Sequence, residues 1–213
     1  IFALDIGTRN VVGVIGHMED GVFTVSEAVS GPHKRRAMLD GQIEDIVETS
    51  RIVSQVKEAL EEKAEMSLSR VAIAAAGRAL KTKRASVITE LDGRESITEN
   101  MLKSLELEAV AKAQSELDSD NTSENVTFYC VGHTVTKYAL DDYPIKSLLG
   151  HKGKKVEVEL IAAFLPSLVV ESLYTVMDMN GLDVCSLTLE PIAAMNVIIP
   201  PEVRLINIAL VDI

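Results

Sequence analysis

The 213-residue chain is 47% hydrophobic and 25% charged, enough apolar material for one or two packed globular domains, which excludes a disordered chain. Its 21 Lys and Arg stand against 32 Asp and Glu, a formal charge of −11, and with four Phe, four Tyr and no Trp it has neither the basic footprint nor the rings of a nucleic-acid binder. The longest apolar stretch, 160–170, is interrupted by Pro166 and Ser167 and is too short to cross a bilayer, and no secretory signal is visible.

In chain order, Ile1-Phe2-Ala3-Leu4-Asp5-Ile6 leads into a Gly7-Thr8-Arg9-Asn10 turn, and a second β-rich run returns. Asp20-Gly21 between β-rich runs predicts a further hairpin, giving three antiparallel strands. The basic run Lys34-Arg35-Arg36 reads as a solvated loop. Asp45 and Glu48 have capping-box spacing before Ile46, Val53, Val56 and Leu60, which predicts an amphipathic helix of about five turns. Residues 71–77 form a short apolar run without polar alternation, as for a strand buried on both faces.

The pattern then changes. Residues 80–91 alternate polar and apolar, Ser96 or Thr98 can cap a helix with Met101, Leu105, Ala109, Ala113 and Leu117 on one stripe, and strands follow at 126–140 and 155–165 around an irregular segment at 141–153. This predicts an inserted α+β unit spanning 78–165 between two parts, 1–77 and 166–213, of one discontinuous domain. Beyond it come a helix from Ser167 stopped by Asn180-Gly181, a strand at 184–189, a helix after Glu190-Pro191, and a last strand at 205–213 that closes on Asp212. Cys130 and Cys185 sit in β-rich apolar runs, where buried free thiols of a reducing compartment are expected. The chain lacks an initial Met and stops inside an apolar run, as part of a longer protein would.

Gly7 lets backbone N–H groups approach an anion, Thr8 adds a hydroxyl, and Asp5 beside them could hold the water shell of Mg²⁺. Taken singly, Asp5, Glu190 and Asp212 are ordinary turn or strand-end acids. Jointly, and with the order β, β, β, α, β, α, β, α around the insertion, they resemble the ribonuclease-H-like half of the actin and Hsp70 superfamily. Asp5-Ile6-Gly7-Thr8 is similar to its first phosphate motif, Glu190-Pro191-Ile192-Ala193-Ala194 to its connecting motif, and Val211-Asp212-Ile213 to the start of its second phosphate motif. Within the superfamily the chain resembles the FtsA cell-division family. The resemblance is carried by Gly41-Gln42-Ile43-Glu44-Asp45, Ile97-Thr98-Glu99-Asn100, Gly132-His133, Tyr138-Ala139-Leu140-Asp141 and the run from Gly150 to Val158.

That resemblance implies an α/β fold with a mixed five-stranded sheet, forming subdomain 1A of an actin-like protein, and an inserted SHS2 (1C) subdomain. It implies ATP and Mg²⁺ as cofactors, with Asp5, Gly7, Thr8, Arg9 and Asp212 binding nucleotide, Asp5 facing the metal and Glu190 catalytic. It further implies a cytoplasmic, self-polymerising protein at the inner face of the membrane at the division site. Such a protein links FtsZ to the membrane through regions beyond residue 213, meets late division proteins through 78–165, and is a weak ATPase at most, inactive as this portion alone. A PilM-like platform for type IV pilus assembly shares the architecture and is the alternative. A sugar or acetate kinase would need a catalytic base, and His133 and His151 read as surface residues.

Overall fold

The computed structural model describes residues 1–33, 37–39, 41–76, 79–120, 126–200 and 208–211. The chain forms two compact units, one from Ile1–Ala79 with Leu168–Ile213, the other from Leu80–Ser167.

The first unit is built on strands β1 (Phe2–Ile6), β2 (Asn10–Glu19) and β3 (Val22–Pro32), the hairpin β4 (Met38–Leu39) and β5 (Gln42–Ile43), helix α1 (Ile46–Ala64), and strand β6 (Arg70–Ala75). Its sheet has the order β11-β6-β1-β2-β3, where β11 (Asp183–Leu189) belongs to the returning segment. Strands β1, β2 and β3 pair antiparallel in succession, and β6 lies parallel to β1. The tight β2–β3 turn comes from Asp20 and Gly21, both at positive φ (50° and 79°), as the primed hairpin turns require. Alternation along β1 places Phe2, Leu4 and Ile6 in the core and turns Asp5 out.

Helix α1 starts where the capping box predicts: the Asp45 carboxylate accepts the Glu48 N–H at 2.9 Å. Ile52, Val53, Val56 and Leu60 form its buried stripe, and two glycines of the sheet leave room for them. A Cβ on Gly13 would come within 2.6 Å of Leu60 and Val56, and one on Gly31 within 2.9 Å of Ile52 and Val56. The β4–β5 hairpin carries no periodicity in two-residue strands, so only Asp40-Gly41 could have signalled it. Gly41 sits at φ +79°, and a side chain there would run into the Ala76 methyl just beyond β6. Gly41→Ala therefore combines left-handed strain with overpacking and should lower unfolding free energy by about 2–4 kcal/mol in urea. A loss under about 0.5 kcal/mol, within the range of an unremarkable surface change, would contradict that geometry.

The second unit contains β7 (Lys81–Glu90), α2 (Glu99–Asp120), β8 (Phe128–Leu140), β9 (Tyr143–Ile145) and β10 (Lys155–Pro166), in an antiparallel sheet of order β7-β10-β8-β9. The segment read as irregular thus holds a short strand, β9. Two aspartates at positive φ, Asp141 and Asp142, turn the chain into it. The Asp141 carboxylate accepts the N–H groups of Lys154 and Lys155 at 2.9 Å each, bonds that hold its pKa below the ordinary value. Thr98, rather than Ser96, caps α2, its Oγ1 accepting the Met101 N–H at 3.2 Å. Leu105, Ala109, Ala113 and Leu117 are the buried stripe of α2. The middle and end of that stripe pack with Ala85, Val87, Phe128, Leu160, Ala162 and Phe164. The opposite face of the sheet is solvated and carries the cross-strand pairs Arg84–Glu159 (3.5 Å) and Lys137–Glu157 (2.8 Å), each of small net effect on stability.

The chain then returns to the first unit through α3 (Ser167–Met179), β11 (Asp183–Leu189) and α4 (Glu190–Ile198). Gly181 at φ +62° follows α3 as expected. Asn180 joins α3 to α1: its side-chain N–H₂ donates to Ser50 Oγ at 3.0 Å and its carbonyl accepts from Lys57 Nζ at 3.0 Å. Strand β11 pairs parallel with β6.

Three expectations need correction. Both cysteines are free and exposed rather than buried: Cys185 is the residue left out of the ladder at the Val184/Ser186 register shift, whereas Cys130 stays paired with Phe164 beside a shift that leaves out Val131. The β6 run is buried on one face only, since Ala72 and Ala74 on the other are half-buried. Of the expected last strand, 208–211 is irregular and exposed and pairs with no strand among the described residues. Its residues 205–207, Asp212 and Ile213 lie outside the described residues, as do Lys34, Arg35 and Arg36.

Candidate functional site

In the first unit β1, β6 and β11 run parallel, so their C-terminal ends share one edge of the sheet. Asp5 is level with Ala74, and Ala74 with Thr188, which places Glu190 just past the same edge. Two ladder spacings put the Asp5 and Thr188 backbones about 10 Å apart, and Glu190, two residues on, about 12 Å from Asp5. Edges of this kind are where open α/β sheets take ligands, because chain leaves the sheet there with unpaired backbone groups.

The turn between β1 and β2 supplies such groups. Gly7 donates its N–H to the Asn10 carbonyl at 3.0 Å, and a Cβ on Gly7 would press on that oxygen at 3.1 Å. Among the described residues, the amide N–H groups of Thr8 and Arg9 have no acceptor, and both residues are exposed. Two free amides and a hydroxyl on one exposed turn are what an anion's oxygens need. Asp5 remains accessible to solvent, yet partial burial against the strand ends pushes its carboxyl pKa up from the ordinary 3.8. Glu190 opens α4 directly after Leu189, with Pro191 in the first turn, and is half-buried. The structure thus brings Asp5, Gly7, Thr8, Arg9 and Glu190 to one edge, while Asp212 lies outside the described residues. Among the described residues no three His, Cys, Asp or Glu side chains converge on a metal position. Mg²⁺ here would be held through phosphate oxygens and water, with Asp5 as its protein carboxylate, a donor set that suits this ion.

Two features had no sequence signal. His33, one residue past β3, donates from ring Nε2 to the Gly7 carbonyl at 3.1 Å and from its backbone N–H to the Arg9 carbonyl at 2.9 Å. In the second unit, Tyr138 donates to Glu106 at 2.6 Å and His133 Nε2 lies 3.6 Å from the other Glu106 oxygen. Burial, with the Glu106 carboxylate next, pushes the Tyr138 pKa up to about 12. His133 therefore has a carboxylate neighbour that its surface reading did not anticipate.

No protein-family model matches the chain, and no curated protein matches it by sequence. Among solved structures, the PilM–PilN type IV pilus biogenesis complex superposes with a TM-score of 0.56 at 14% identity, over 92% of this chain and 48% of that one. The chain thus shares its fold with that solved chain. This chain spans about half the length of that solved chain. Ethanolamine utilization protein EutJ from Carboxydothermus hydrogenoformans aligns at a TM-score of 0.42 and 14% identity, over 93% of this chain and 40% of that one. A Ppx/GppA family member from Aquifex aeolicus aligns at 0.27 and 20% identity, over 36% of this chain and 26% of that one.

Proposed function

We propose that the chain is the first half of an actin-like ATP-binding protein of the FtsA type, with 1–77 and 166–213 as subdomain 1A and 78–165 as an SHS2 insertion. The observation that carries the nucleotide reading is the free amides of Thr8 and Arg9 beside Asp5, on the sheet edge that also presents Glu190. In this reading the turn amides take phosphate oxygens. Asp5 would hold the water shell of Mg²⁺ and Glu190 would orient an attacking water, in a reaction where positioning and charge neutralisation do most of the catalysis. The longer protein would polymerise in the cytoplasm and connect FtsZ to the membrane.

A second reading, a PilM-like platform, is favoured by the structural likeness to the PilM–PilN complex, which spans 92% of this chain. One experiment separates the two. In the complete protein, Mg-ATP should drive polymers that sediment and carry FtsZ with them. Failure of both, with retention of a PilN-type partner on immobilised protein, would replace the first reading by the second.

A further inference from the structure

We propose that His33 is a positioning residue for the phosphate turn, aiming the Thr8 amide at the bound anion; this rests on the nucleotide reading above. A tight hairpin turn ordinarily closes with a reciprocal pair of backbone bonds. Here Gly7 N–H to Asn10 is present, but the Gly7 carbonyl takes its hydrogen bond from the His33 ring at 3.1 Å. The Gly7 carbonyl and the Thr8 N–H belong to one planar trans peptide and point in opposite directions. Holding the carbonyl toward His33 therefore turns the Thr8 N–H away from it, where it has no acceptor among the described residues. The His33 backbone N–H holds the Arg9 carbonyl at 2.9 Å in the same manner. One residue at the end of β3 thus grips the carbonyls on both sides of Thr8.

The ring's other nitrogen argues that this contact is specific. A carbonyl only accepts, so Nε2 carries the proton and Nδ1 of the neutral ring is bare. Nδ1 is buried without a hydrogen-bond partner. A buried polar atom left unpaired is unfavourable. The ring is nonetheless kept in place, and its Nε2 contact is the one hydrogen bond it makes among the described residues.

The test uses the ¹⁵N-labelled 213-residue chain, titrated with Mg-ATP to about 10 mM, a range suited to millimolar binding. His33→Ala and His33→Gln are compared with the native residue. In the native chain the Thr8 amide should shift with Mg-ATP. His33→Ala should weaken that response about tenfold or more and speed hydrogen exchange at the Gly7 amide. His33→Gln, whose side-chain N–H₂ can donate to the Gly7 carbonyl, should restore both to within about threefold, corresponding to less than 1 kcal/mol. A native response in His33→Ala, or a glutamine variant as weak as alanine, would overturn the proposal. If the alanine variant loses protection across β1, His33→Gln decides alone: a near-native response supports the proposal, a tenfold loss overturns it. A native Thr8 amide that ignores Mg-ATP would sink the nucleotide reading and the positioning role with it. Unchanged response in His33→Ala, with the native chain responding, sinks only the role of His33.

Discussion

Replacing Asp5 by Asn should weaken Mg-ATP binding to the complete protein about ten- to a hundredfold while making the chain slightly more stable at neutral pH. The first effect follows from what the carboxylate would do. A hydrogen bond to a charged group contributes roughly 1.5–3 kcal/mol, which converts to that range of affinity. ATP without metal should bind the variant at least as well as the native protein, because an anion has been removed from beside the phosphates. The stability effect has the opposite sign. Partial burial raises the Asp5 pKa in the folded chain above its ordinary 3.8, so the folded state binds this proton more tightly than the unfolded one. Its favourable contribution is fully present below the ordinary carboxylate pKa and is lost as pH rises through the raised value, leaving an ionised group at a net disadvantage at neutral pH. Asparagine removes that disadvantage, and its advantage over the native chain should vanish in acid. Calorimetric titration and thermal melts at two pH values check both halves. Native Mg-ATP affinity in a folded variant would remove Asp5 from the metal's surroundings.

The second large effect is expected in the other unit. Phe164 on β10 is fully buried among Ala109, Ala113, Leu117 and Phe128. Alanine there leaves a cavity that the small residues of α2 cannot fill, at about 3–5 kcal/mol. The unit of 80–167 should unfold at markedly lower urea, whereas amide protection in β1, β2 and β6 should keep its native midpoint. A single transition in which both sets of amides shift together would mean that the two cores unfold as one.

Much of this architecture was legible where one residue has one physical task. Asp45 accepts the N–H that its spacing from Glu48 marks, Asp20 and Gly21 adopt the positive φ that their hairpin needs, and the Leu105 to Leu117 stripe faces its own sheet. The site was legible to the extent that chemistry follows local sequence: Asp5, Gly7, Thr8 and Arg9 are one turn, and Glu190 is placed by the strand before it. Features that depend on register were not. A bulge such as the one at Cys185 takes a residue out of its expected place in a strand without altering the strand's composition. Strands of two or three residues, β4, β5 and β9, are shorter than any periodicity that could announce them. His33 meets Gly7 across 26 positions of sequence, and a lone histidine after Pro32 carries no sign of that partner.

The two exposed cysteines give the molecule a built-in pair of handles. The sequence has only these two, one in each unit, both free and exposed. Partial burial pushes the Cys130 thiol pKa up despite its contact with the Gly132 carbonyl, so its thiolate, the reactive form, is scarce near neutrality. Raising the pH of a labelling reaction therefore brings Cys130 into play without any substitution. Spin labels or dyes on the native thiols would report the separation of the two units directly, with nucleotide present and absent.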